Sequence, residues 1–120
     1  MIDVIPELIG LFRKYNIQLI NESVSDSENT YPMITYRERD NSDLAIGDNV
    51  GYSRISFVIN IWAHTPKEAS ALAVKADMIM KSVNFSRDNF TEQNIGGLYR
   101  KIATYSRSIK ENFKEDLLWQ

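Results

Sequence analysis

The chain contains no cysteine, which excludes disulfides, thiolate nucleophiles and zinc sites built on sulfur. That absence fits a reducing compartment without requiring one. There is a single histidine, His64, so a metal centre would have to combine one imidazole with carboxylates. No stretch approaches ~18 consecutive apolar residues, which leaves no expected membrane span. The opening MIDVIPELIGLF carries Asp3 and Glu7 where a secretory signal would carry lysine or arginine. Charge of one sign is scarce too. Fourteen basic residues against sixteen acidic ones give a net charge of −2, the opposite of the concentrated positive charge a dedicated nucleic-acid binder needs. Phosphate loops are also missing, since GDNVG and IGG lack the strand-to-helix setting and the lysine such loops require.

What remains is the ordinary balance of a globular domain, with 43% apolar and 25% charged residues over 120 positions. A chain of this size forms one domain that buries roughly two-thirds of its unfolded surface. Ile5, Leu8, Ile9, Phe12 and Tyr15 recur at helical spacing, with Asp3 as a cap, Pro6 in the first turn and Asn16 as a left-handed stop. IQLI (Ile17 to Ile20) reads as a short strand and YPMITYRE as a second, with Pro32 near its start. RDNSDLAIGDNVG, residues 39–51, is charged and glycine-punctuated, and predicts a mobile projecting loop.

RISFVINIWA is the clearest strand. Ile55, Phe57, Ile59 and Ile61 fall on one face, and Arg54, Ser56, Val58, Asn60 and Trp62 on the other. TPKE then starts a helix, with Thr65 as cap, Pro66 at the first position and Glu68 three residues past the cap. That helix should run to about Val83, burying Ala69, Leu72, Ala76, Ile79 and Val83 and leaving Asp77 and Lys81 in water. NFSRDNFTEQNIGG reads as a short strand or extended segment reaching a Gly96–Gly97 turn, and LYRKIATYSRSI as a long strand bordering solvent or a partner. The order of elements predicts an α+β fold: one antiparallel or mixed sheet of four or five strands, with an N-terminal helix and a second helix packed on one face. A C-terminal tail at about 110–120 ends in Leu117, Leu118 and Trp119. These either fold back or meet a partner, and deleting everything after Glu115 is expected to spare folding.

Three constellations could carry chemistry. His64 sits between Trp62 and a capped helix with no acid or nucleophile marked beside it, so it reads as a corner residue rather than a base. Asp40, Asp43 and Asp48 share a loop without the spacing of a calcium hand. No pair of carboxylates is marked as facing a cleft. No catalytic, cofactor or metal residues are therefore expected, and the chain is read as a non-enzyme. Tyr99, Arg100, Lys101, Tyr105 and Arg107 interleave aromatic and basic groups as nucleic-acid platforms do, although lysine and arginine are also normal on a sheet edge. The remaining signal is surplus adhesive surface: six tyrosines, two tryptophans and four methionines among mixed-face strands.

YPMITYR, then SFVINIWAHTPKEASALAVKADMIM, then FSR…GLYRKIATYSRSI resembles the small tail-terminator, or tail-to-head joining, proteins of long-tailed bacteriophages. The likeness covers Ile5 to about Ile109 and rests on spacing and residue type. It implies an α+β virion protein with no reaction to catalyse, assembling as a hexameric ring at the head-proximal end of the tail after production in the host cytoplasm. The implied partners are the major tail tube protein and the head-closure or connector protein. DNA would pass through the ring without specific binding, past a mildly acidic lumen. Ring contacts are heterologous, and Arg54, Val58, Trp62, Tyr99, Tyr105, Arg107, Leu117, Leu118 and Trp119 are the expected subunit or partner interface. A head-closure or other minor joining role is the near alternative, and a small nucleic-acid-binding α+β domain the more distant one.

Overall fold

The computed structural model describes residues 1–24, 30–46, 50–111 and 117–119, and the statements below concern those residues. Two helices, α1 (Ile5–Lys14) and α2 (Pro66–Ser82), pack on one face of a single sheet. Its strands are β1 (Leu19–Asn21), β2 (Met33–Ile46), β3 (Val50–Ala63), β4 (Ser86–Ile95) and β5 (Leu98–Lys110). They lie in the order β1-β2-β3-β5-β4, parallel between β1 and β2 and antiparallel elsewhere. The protein is α+β with a mixed five-stranded sheet, as its pattern predicts.

Local chemistry accounts for the boundaries. Thr65 caps α2, accepting a hydrogen bond from the Glu68 backbone N–H at 3.2 Å while its own hydroxyl reaches the Glu68 carboxylate at 3.1 Å, with Pro66 at the first helical position. Asn16 takes the left-handed conformation beyond the end of α1 (φ 60°). Gly96 and Gly97, at φ 58° and 83°, turn β4 into β5. Val4, rather than the expected Asp3, is the N-cap of α1 and lacks a side-chain cap bond, while the Asp3 side chain accepts a hydrogen bond from the Ile5 N–H two residues on.

The core lies between the helices and the odd-numbered face of β3. Ile55, Phe57, Ile59 and Ile61 are all buried there. The Phe57 ring meets Tyr36 and Phe85 edge-on, at 6.4 and 6.1 Å between centroids. From α1 come Leu8 and Phe12, and from α2 Ala76, Ile79 and Met80.

Three expectations need correction. Residues 39–46 and 50–51 are not a projecting loop but the far ends of β2 and β3, paired from Asp40↔Ser56 through Ile46↔Val50, while 47–49 lie outside the described residues. A bulge at Arg39 interrupts the alternation at that point, so the two-residue period that marks a strand is lost from the sequence. β5 is not an edge; it is the fourth strand in the order, flanked by β3 and β4. Asp77 is not shed into water but turned towards the sheet, where it accepts a hydrogen bond from the Tyr105 hydroxyl at 2.7 Å.

Removing the α2 cap with Thr65→Ala should lower stability by about 1 kcal/mol, read as a shift in the denaturant midpoint at unchanged slope. No shift would mean that the helix start is held by Pro66 and packing alone.

Candidate assembly interface

Because side chains alternate along a strand, the second face of the sheet is built from the even-numbered residues of β3 and β5. Its floor is small and polar: Thr35, Ser56, Asn60, Thr104 and Ser106 are all buried. Buried polar groups need partners, and Thr35, Asn60 and Ser106 have them, Thr35 by accepting from the Trp62 indole N–H at 3.4 Å. Asn60, fully buried, accepts from Arg100 Nε and Nη2 at 3.1 and 2.8 Å and donates to Glu22 at 3.3 Å. The Arg100 guanidinium lies 4.6 Å from the centre of the Trp62 ring. Arg54 donates to the Ser106 hydroxyl at 3.2 Å, and that hydroxyl donates to Asp88 at 2.7 Å.

The nine sequence-predicted interface residues do not share a surface. Arg54 is exposed on the second face, Trp62 is half-buried beneath Arg100, and Val58 is buried. Tyr99 is half-buried near the β4–β5 turn, on the helix side of the sheet. Tyr105 is 2% exposed, within the core. Its hydroxyl is held above its ordinary pKa, by burial first and then by the Asp77 carboxylate. Arg107 is directed inwards, where Nη1 donates to the Val83 and Leu118 carbonyls at 2.7 and 2.9 Å, and burial lowers its pKa.

Leu117 and Leu118 are buried in the chain's own core, so they offer no surface to a partner. A short 3-10 turn, Leu117–Trp119, is gripped at both ends. The Glu7 carboxylate accepts from the Leu117 and Leu118 N–H groups, both at 2.9 Å, and Arg107 binds the Leu118 carbonyl. Only Trp119 is outward, 57% exposed, with Lys14 Nζ 5.9 Å from its ring centre. Residues 112–116 and 120 of the expected tail lie outside the described residues.

The nucleic-acid platform is divided as well. Arg100 is on the second face. Lys101 is on the opposite face, ion-paired with Glu92 and 5.3 Å from the Phe90 ring centre. Tyr105 and Arg107 are committed inside. No common surface presents these five side chains, nor do Arg100, Lys101 and Arg107 gather as a basic lining. His64 is exposed and set edge-on to Tyr31, 5.1 Å between ring centres.

What sequence reasoning missed is an exposed apolar flank. Val74 and Met78 on α2 are 70% and 56% exposed, and Phe90 on β4 is 41% exposed. Val74 and Phe90 line one groove of about 220 Å³ between α2 and the β4–β5 pair, floored by Ile61, Ala73 and Ala103. Its charges are paired internally: Asp77 with Lys81 at 2.8 Å and Arg87 at 3.3 Å, and Lys101 with Glu92. Every residue of β4 is exposed. The signal was present in the α2 pattern, because Val74 and Met78 are one turn apart and fall off the Ala69–Ala76–Ile79–Val83 stripe.

At the opposite side of the sheet, β1 is the other outermost strand. Ile9, Arg13, Ile17 and Leu19 line a groove of about 430 Å³ between α1 and that strand. The sheet thus ends in two unlike edges, each flanked by a groove on the helix side, apolar at β4 and more polar at β1. Comparison with known proteins adds no family to this geometry: neither the protein-family models nor the curated proteins searched give a match to the sequence.

Four outcomes follow from the contacts. Leu118→Ala should cost about 2–5 kcal/mol as a core truncation, whereas Trp119→Ala should stay within about 0.5 kcal/mol as a surface change, both by chemical denaturation. Deleting the chain from Leu117 onward should therefore destabilise the fold, contrary to the expectation from sequence. Burial pulls the Asp77 carboxyl upwards, but Lys81, the Tyr105 hydroxyl and Arg87 outweigh it and hold its pKa below the ordinary carboxylate value. A carboxylate depressed in the folded state contributes stability above its unfolded pKa and loses it as pH falls through the folded value. Asp77→Asn should accordingly flatten the acid limb of the stability–pH curve, measured by denaturation from pH 7 to pH 2; an unchanged limb would remove Asp77 from the set of linked groups.

Proposed function

We propose that the chain is a structural virion protein of a long-tailed bacteriophage, forming a ring that caps the tail tube and joins the tail to the head connector. Its work is done by assembly rather than turnover. The observation that carries this reading is the sheet with two different open edges, β4 and β1. Such edges suit head-to-tail contacts, and heterologous contacts that close make rings. The residue pattern from Ile5 to about Ile109 supports the same reading through its resemblance to tail-terminator proteins, and the α+β fold is the one that resemblance implies. In this role the tail tube protein and the head-closure or connector protein are its partners, six copies make the ring, and DNA passes through without specific contacts. Head closure, at the same joint, would use the same geometry.

The reading is tested by sedimentation velocity and negative-stain imaging of the purified chain across a concentration series. The expected outcome is a closed ring of about six copies; a chain that stays monomeric at every concentration and yields no ring would overturn it.

A further inference from the structure

The geometry points to a specific contact between copies: the β4 edge of one chain adds antiparallel to the β1 edge of the next, so that the sheet continues from subunit to subunit. This rests on the ring reading and specifies its interface.

Strand direction supplies the first argument. β1 runs with β2 and β5, and β4 runs against them. Rotation about an axis along the strands preserves direction, so a neighbour's β4 arrives antiparallel to β1, and both helix layers stay on the same side. A two-fold axis across the sheet would bring β4 against β4 instead.

The flanking surfaces supply the second. Both grooves lie on the helix side of the sheet. One contact therefore pairs the two edges and also brings Val74 and Phe90 of one copy against the half-buried Ile9 at the α1–β1 groove of the next. Because Asp77, Arg87, Glu92 and Lys101 are already paired within their own chain, the α2–β4 groove brings no unpartnered charge of its own to the contact; Arg13, exposed at the α1–β1 groove, has to stay at the wet rim. A ten-residue edge strand with every residue exposed otherwise presents unpaired N–H and C=O groups, a standing template for another strand.

The test uses the absence of cysteine. Ile20 pairs with Thr35, and Thr91 with Ile102, which places both side chains on the second face. Asn89 and Gln93 share that face with Thr91. Single variants Ile20→Cys, Asn89→Cys, Thr91→Cys and Gln93→Cys are prepared separately, then oxidised alone and in pairwise mixtures. The exposed Gln18→Cys replaces Ile20→Cys if circular dichroism shows that variant unfolded.

The expected result is a disulfide-linked dimer in a mixture of a β1 variant with a β4 variant, and none from any variant alone. Phe90→Glu should abolish both the ring and the cross-link at unchanged melting temperature. A dimer from a β4 variant alone would mean two-fold β4–β4 pairing and overturn the contact. Rings in stain without any mixed cross-link would overturn the edge assignment and leave the ring reading standing. A monomer in every arm would overturn both.

Discussion

Alternation along β3 is the constraint from which the rest of the molecule follows. One side chain up and the next one down sends Ile55, Phe57, Ile59 and Ile61 into the helix-covered core, and Arg54, Ser56, Asn60 and Trp62 to the other face. β3 touches both β2 and β5, so its register propagates sideways and decides which face each neighbouring residue joins. A one-residue slip would exchange the two sets at once. The core would lose four large apolar groups, and Asn60 would lose its partners Arg100 and Glu22.

The second face is therefore a structural layer in its own right. Arginine stems lie over a floor of buried serine, threonine and asparagine, in which Thr35, Asn60 and Ser106 each meet a partner. A similar use of charge fixes the end of the chain. Glu7 holds two N–H groups of the final turn and Arg107 holds a carbonyl. Acid at the start of that turn and cation beyond its middle are the polarity a peptide segment prefers.

Most of the architecture was legible because it is written in period and punctuation. The helical stripe of α1, the Thr65–Pro66–Glu68 start of α2, the two-residue period of β3 and the Gly96–Gly97 turn each have a local cause. What could not be read is what depends on distant neighbours. Nothing local marks Asp40 to Asp43 as strand; they are held by pairing with Ser53 to Ser56. Tyr105 and Arg107 carry interface-like side chains, yet Asp77, Val83 and Leu118 claim them inside. Of the exposed apolar flank, the off-stripe Val74 and Met78 were visible in principle. The exposure of β4 was not, because an edge is a property of sheet order and not of one strand's composition.

β1 is only three residues long. A strand that short can offer a newcomer just a few main-chain hydrogen bonds, each contributing about 1 kcal/mol net, so one isolated junction would be fleeting under the entropy of association. An arc of copies would keep dissolving from both ends, whereas a closed circle has no end to lose. Under the edge contact inferred above, the weakness of the shorter strand would make assembly all-or-none, and a surface that holds the first few copies in place would set where and when it happens.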